Sequence, residues 1–69
     1  MENIQFIPVQ SSNIISIGWS ENTLYINYKS GIYKYENVDK TLYENLLASP
    51  SKGKFMNENI KGKYKYSKI

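Results

Sequence analysis

Hydrophobic positions alternate with polar ones between residues 14 and 36, and two short polar stretches interrupt the alternation. Period-two alternation is typical of half-buried β-strands, and the interruptions are typical of tight turns. This region is therefore predicted to form a three-stranded antiparallel meander. The first turn can consist of Glu21-Asn22 or of residues 20–23. Either choice pairs Trp19 with Leu24 and Ile17 with Ile26, so the same side chains share a face of the sheet.

The second turn is predicted at Ser30-Gly31, which pairs Tyr28 with Tyr33 and Ile26 with Tyr35. One face of the sheet then carries the large hydrophobic side chains, and the other carries a polar mixture expected to face water. The predicted core face consists of Ile15, Ile17, Trp19, Leu24, Ile26, Tyr28, Tyr33 and Tyr35.

A helix over residues 38–48 is predicted to cover that face. The spacing i, i+4, i+8 of its apolar residues places them on one stripe, and Asn37 or Asp39 can cap its first turn. The residue before a proline avoids the helical region, so the helix should end at Ser49-Pro50. The stripe consists of Val38, Leu42 and Leu46.

The remaining segments are predicted from weaker patterns. Residues 51–54 read as a loop, and residues 55–60 as one helical turn that buries Phe55 and Ile60. Residues 61–65 alternate Lys with Gly or Tyr, which suits an edge strand or an extended arm. Residues 1–12 can lie along the sheet edge, because Pro8 forbids a central strand. The predicted fold class is α+β: a three-stranded meander, one α-helix, a short second helical turn and a C-terminal arm over residues 61–69.

Length and composition exclude several classes of protein. Sixty-nine residues support a single domain, residues 1–69, and 41% hydrophobic residues are too many for a disordered tail. The chain has no Cys and no His, so a disulfide framework, a thiolate metal site and the usual general base are missing. Six scattered carboxylates form no acid/base pair. We expect no enzyme activity, no catalytic residue, no metal and no cofactor.

Hydropathy and the N-terminus bear on location. No apolar run approaches the roughly 20 residues that span a bilayer, and residues 1–3 lack the basic opening of a signal peptide. We therefore expect a soluble cytoplasmic protein without a membrane partner.

The net charge of +3 is unevenly distributed. Residues 1–50 carry three lysines against five carboxylates, whereas residues 51–69 carry six lysines against Glu58 alone. All nine cationic side chains are Lys. Lysine attracts phosphate as a point charge, but it lacks the planar guanidinium with which Arg donates two parallel hydrogen bonds. Lysines alternating with aromatic rings are typical of surfaces that bind single-stranded nucleic acid. The candidate nucleic-acid or anion-binding residues are Lys52, Lys54, Lys61, Lys63, Tyr64, Lys65 and Tyr66.

Each candidate has a structural alternative. The basic tail also fits a solvated terminus whose tyrosines pack on the sheet edge. The loop at residues 51–54 can hold a phosphate, although Gly53 also suits a simple tight turn. Ser11 and Ser12 offer hydroxyls but have no His to activate them, so a turn is the favoured interpretation. Most tyrosines fall on the core face, which leaves Tyr25, Tyr64 and Tyr66 as outward rings.

Several short motifs between residues 9 and 66 stand in a characteristic order: VQSSNI at 9–14, IGW at 17–19, LYINY at 24–28, GIYKYENV at 31–38 and SKGKFMN at 51–57. Together they resemble the KTSC domain, named after the C terminus of lysyl-tRNA synthetase. Trp19 departs from the Tyr frequent in that family, and Lys61 from the Arg common there.

The resemblance implies a domain that occurs attached to bacterial lysyl-tRNA synthetases and free-standing in bacteria and phages, which suggests a role near tRNA. The leading hypothesis is a non-enzymatic module that binds RNA or tRNA through its basic, Tyr-containing C-terminal segment. The alternatives are a protein-interaction or self-associating module, which would pair through an exposed sheet edge, and a binder of a small anionic nucleotide-like ligand.

Overall fold

The computed structural model describes residues 4–69, which form one antiparallel sheet and two helical segments. The five strands lie across the sheet in chain order: β1 (Ile7–Pro8), β2 (Ile14–Ser20), β3 (Thr23–Tyr28), β4 (Gly31–Glu36) and β5 (Tyr66–Lys68). Between β4 and β5 the chain forms helix α1 (Lys40–Ala48) and helix α2 (Lys52–Phe55), which continues as a π-helical turn over Met56–Ile60. The α+β class is confirmed, whereas the count of three strands is wrong.

The two strands outside the predicted meander are the edges of the sheet, and β1 lies within the segment 1–12 that was predicted to run along an edge. β1 has two residues and β5 has three, too few for a period-two pattern to show in the sequence. Each is held by pairing with a distant strand, β1 with β2 and β5 with β4. Within the predicted edge segment 1–12, residues 1–3 lie outside the described residues.

The chain from residue 61 to residue 65 differs from the predicted edge strand. The N–H groups of Lys63 and Tyr64 both donate to the carbonyl oxygen of Ile60, which wraps this stretch into a turn. Gly62, at φ 81°, supplies the left-handed residue that the turn requires. The C-terminal strand therefore begins only at Tyr66.

The register between β2 and β3 is the predicted one. Ile17 pairs with Ile26 and Trp19 with Leu24. The turn itself consists of Glu21-Asn22, both with positive φ, which is the backbone twist that tight hairpins prefer.

The register between β3 and β4 is shifted by two residues from the prediction. Tyr28 pairs with Gly31 rather than with Tyr33, so the turn lies at Lys29-Ser30. Gly31, at φ 144°, takes a conformation that other residues rarely adopt, which lets it serve as the first strand residue. A shift of two leaves every side chain on its predicted face, because side chains alternate with period two.

A β-bulge at the start of β2 reverses one predicted assignment. Ile14 pairs with Tyr28 and Ser16 with Asn27, so Ile15 is an extra residue with no partner in the register. As a result Ile14 is 1% exposed and lies in the core, whereas Ile15 is 47% exposed. Placing Ile15 on the core face was wrong.

The opposite face of the sheet is partly covered rather than fully wetted. The ring of Phe6 lies edge-on to Tyr25, with centroids 6.3 Å apart. If residue 18 had a Cβ atom, that atom would lie 2.7 Å from the side chain of Ile4. The N-terminal segment therefore runs directly over Gly18. Ser16 is buried here and accepts a hydrogen bond from the Asn27 amide.

Helix α1 begins after Asp39, one of the two predicted caps. The N–H of Leu42 donates to Asp39 Oδ1 at 2.8 Å. Val38 precedes the helix, and its carbonyl oxygen accepts a 2.7 Å hydrogen bond from the Trp19 indole. The indole ring also stacks on Tyr43 of α1. These contacts tie the helix to the end of β2.

Helix α2 starts three residues earlier than predicted, at Lys52 in place of a loop over residues 51–54. Burial favours the helical form despite Gly53, since Met56 and Ile60 both point into the core. Phe55 packs against that core half-buried. The core consists of Ile14, Ile17, Leu24, Ile26, Tyr35, Val38, Leu46, Met56 and Ile60.

Candidate nucleic-acid interface

Four tyrosines from β3, β4 and β5 converge on one open cleft on the core-facing side of the sheet. The cleft encloses about 480 Å³, and we call it the tyrosine cleft. It is lined by Tyr28, Ser30, Tyr33, Tyr35, Lys61, Gly62 and Tyr66.

The tyrosine rings form a connected cluster. Tyr28 and Tyr33 meet edge to face with centroids 5.5 Å apart, and Tyr35 stacks on Tyr66 at the same separation. Tyr33 also lies 6.2 Å from Tyr66, which links the two pairs. Strand pairing positions them, because β5 places Tyr66 opposite Tyr35. The ring of Tyr66 is 59% exposed and so presents much of its surface to solvent.

Two phenols of the cleft, those of Tyr28 and Tyr35, keep their protons at neutral pH. Burial raises the pKa of Tyr28, and its contact with the Tyr35 hydroxyl, 3.4 Å away, raises it further. Burial also raises the pKa of Tyr35, which the hydrogen bond with Tyr28 partly offsets. Tyr28 and Tyr35 therefore offer the cleft neutral hydroxyls and aromatic faces rather than phenolate charge.

Two lysines border the tyrosine cleft. Lys61 follows the π-helical turn, and its ammonium lies 5.4 Å from the centroid of the Tyr28 ring. Lys68 is two residues beyond Tyr66 on β5, so both side chains leave the sheet on the same face. The Cε atom of Lys68 lies 2.8 Å from the position that a Cβ atom would take at Gly31. Among the described residues that line the cleft, none is acidic.

A second, polar groove lies where α2 begins. It encloses about 420 Å³ between residues 10–13, which lead into β2, and residues 50–54 with Asn57. We call it the serine groove, because Ser11, Ser12 and Ser51 line it together with Lys52 and Lys54. Two segments that the sequence presented as separate candidates thus form one site.

The structure divides the seven predicted binding residues into three groups. Lys52 and Lys54 line the serine groove. Lys61 and Tyr66 line the tyrosine cleft. Lys63 and Lys65 are exposed and line neither, while Tyr64 packs half-buried against the core. The expected run of interleaved lysines and rings is therefore not one continuous surface.

Three tyrosines of the tyrosine cleft and the neighbouring Lys68 were not among the predicted binding residues. Tyr28, Tyr33 and Tyr35 were assigned to the core, and of these only Tyr35 is buried. Lys68 was left out of the candidate set, because the pairing of β5 with β4 is invisible in a three-residue segment. The available signal was the choice of Tyr over Phe at three positions of one apolar face, since a hydroxyl favours a place at the rim.

Two other kinds of site are absent from residues 4–69. No group of three or more carboxylate, His or Cys side chains there is arranged to hold a metal ion. No helix in the same range is long and apolar enough to cross a membrane.

Comparisons with known proteins converge on one family. The model of the KTSC domain matches residues 10–64. The crystal structure of a KTSC domain protein from Yersinia pestis superposes with a TM-score of 0.92 and 38% identity, over 97% of this chain and 99% of the other. A lysine–tRNA ligase from Trichormus variabilis is 42% identical over 48 residues, which are 68% of this chain but only 9% of the ligase. The chain belongs to the KTSC domain family.

Proposed function

We propose that this protein is a non-enzymatic cytoplasmic module that binds single-stranded RNA, including unpaired segments of tRNA. Nucleobases stack in the tyrosine cleft, and the lysines beside it attract the phosphates. The observation that carries the proposal is the convergence of four tyrosine rings on an open cleft bordered by lysines. This arrangement refines the predicted basic tail, of which Lys61 and Tyr66 remain in the interface.

Stacking supplies the larger part of the binding. Base–aromatic stacking contributes about 1–3 kcal/mol per base and tolerates any base sequence. Tyr66 is the most accessible ring of the cluster and already stacks on Tyr35, which holds its plane in place. Because the neighbouring phenols are neutral, they do not repel a phosphate.

Charge supplies attraction without sequence readout. Lys61 lines the cleft and Lys68 lies beside it on β5, and the described lining contains no carboxylate to oppose them. Lysines contact phosphates as point charges, so the affinity falls as salt rises. The chain has no Arg for two-pronged recognition of a guanine.

Similarity to a tRNA-charging enzyme supports RNA as the partner. The matched stretch is a small part of a lysine–tRNA ligase, and this chain is 42% identical to it over 48 residues. A module that holds an unpaired tRNA segment would serve such an enzyme, and we expect the same surface to bind RNA in this chain.

The test is fluorescence anisotropy with a labelled single-stranded RNA and with labelled bulk tRNA, at low and at physiological salt. Tyr66→Leu removes the ring from an edge strand, and we expect binding to weaken about 5-fold or more. Tyr66→Phe keeps the ring and is the matched control, with near-native affinity expected.

A second pair of variants tests the role of charge. Lys61→Gln with Lys68→Gln should weaken binding and flatten its dependence on salt. Lys40→Gln removes one charge from α1, outside the cleft, and should have little effect. Equal affinities for Tyr66→Leu and Tyr66→Phe would refute stacking in the cleft. Absence of RNA binding at low salt would refute the proposed function and would favour the protein-interaction hypothesis instead.

A further inference from the structure

The serine groove is built from two segments that are nearly 40 residues apart in the chain. Residues 10–13 lead into the β-bulge of β2, and residues 50–54 comprise the end of the link from α1 and the first three residues of α2. Each segment is anchored on its own side: the Lys29 N–H donates to the Asn13 carbonyl, and the Phe55 N–H donates to the Ser51 carbonyl. The groove is therefore a product of the tertiary fold.

The lining consists of hydrogen-bond donors with a positive bias. Three serine hydroxyls, the side-chain amides of Gln10, Asn13 and Asn57, and two lysine ammonium groups face a volume of about 420 Å³. Among the described lining residues there is no carboxylate and no aromatic ring. The groove is thus suited to a compact anion with several acceptor oxygens, and it offers no surface on which to stack a base.

The start of α2 holds one of these donors, Lys52, in position. Lys52 Nζ donates to the carbonyl oxygen of Ser49 at 2.7 Å, which holds the lysine beside the groove. The hydroxyl of Ser49 in turn accepts from the N–H of Ser51. At Gly53 a side-chain carbon would meet nothing within 4 Å, so the groove is open to solvent along this backbone.

We infer that the serine groove binds a phosphate monoester group, carried by a small phosphorylated molecule or by the phosphorylated end of an RNA. The doubly charged group pairs with Lys52 and Lys54, and its oxygens accept hydrogen bonds from the serine hydroxyls. This site is separate from the tyrosine cleft and does not depend on RNA binding there.

The test is a titration of the ¹⁵N-labelled full chain, followed residue by residue in amide NMR spectra. Ribose 5-phosphate is the probe and ribose is its unphosphorylated control, and neither has a base to enter the tyrosine cleft. We expect ribose 5-phosphate to shift the amide signals of Ser11, Ser12, Ser51 and Gly53, with no shift from ribose.

Variants distinguish a specific phosphate-binding site from nonspecific attraction to a basic surface. Ser12→Ala with Lys54→Gln removes two exposed groups and should weaken binding about 10-fold. Gly53→Glu places a carboxylate at the groove where the backbone leaves room, and should abolish binding. Lys40→Gln makes the same charge change as Lys54→Gln outside the groove and should leave the affinity within about 2-fold.

Two further titrations identify the source of the phosphate. A short RNA with a 5′-phosphate that displaces ribose 5-phosphate, when its unphosphorylated form does not, supports an RNA end as the ligand. Failure of both RNAs to displace the probe supports a small phosphorylated molecule. The inference is overturned if millimolar ribose 5-phosphate shifts none of the four signals, or if Lys40→Gln weakens binding as much as the groove variants.

Discussion

Ile14 and Ile15 are adjacent, chemically identical and placed in opposite environments by the β-bulge. Ile14 is 1% exposed within the core, and Ile15 is 47% exposed on the surface. Changing each in turn to Val removes one methylene and preserves the β-branched shape, so strand propensity is nearly matched. The difference between the two variants therefore measures burial alone.

The structure sets the expected magnitudes. Removing a buried methylene from Ile costs about 0.5–1.5 kcal/mol, because the lost transfer free energy adds to that of the cavity left behind. Ile14→Val should therefore lower the free energy of unfolding by about 1 kcal/mol, which corresponds to a drop in Tm of about 4–8 °C for a domain of this size. Ile15→Val should stay within about 0.5 kcal/mol of the parent protein.

The assay is urea unfolding followed by the fluorescence of Trp19, the only tryptophan in the sequence. The slope of the unfolding free energy against urea should be the same for all three proteins, with a shifted midpoint for Ile14→Val only. A larger loss of stability for Ile15→Val than for Ile14→Val would refute the bulge and restore the unbroken alternation predicted from the sequence.

Two further predictions concern the helix cap and the tyrosine cluster. Asp39→Ala removes the acceptor for the Leu42 N–H and should cost about 1 kcal/mol in thermal unfolding, while Asp39→Asn should retain most of the stability; equal losses would contradict the capping role. Burial raises the pKa of Tyr28 and Tyr35 in the folded state, so their contribution to stability is complete below about pH 10 and is lost as the pH rises further. The urea midpoint should fall less steeply above that pH in Tyr28→Phe than in the control Tyr66→Phe, and identical slopes would contradict the burial of Tyr28.

The candidate sites show that a sequence pattern can identify single binding segments but not which segments meet in space. Lys52 and Lys54 were singled out beside Gly53, and Ser11 beside Ser12, but nothing in the sequence joins the two segments. They meet only because the residues before β2 and the start of α2 border the same groove. The tyrosine cleft likewise needs β5 to bring Tyr66 and Lys68 to β4, although more than 25 residues separate these strands in the chain.

Local rules were sufficient wherever neighbours in sequence are also neighbours in space. Period-two alternation and turn parity determined the pairing of Ile17 with Ile26. Capping preference limited the start of α1 to Asn37 or Asp39, and the helix begins after Asp39, two residues later than the predicted start at residue 38. The same periodicity preserved the core face of β3 and β4, because misplacing the hairpin turn by one residue shifts the register by two.

Tertiary structure decided the features that depend on competition between distant segments. The choice of Ile14 over Ile15 for the core requires a bulge, which interrupts the alternation from which strands are read. The edge strands β1 and β5 have too few residues to form without the sheet they join, and α2 becomes helical across Gly53 as Met56 and Ile60 are buried. Sequence determines such features only through the free energy of the whole packed domain, which no local pattern reports.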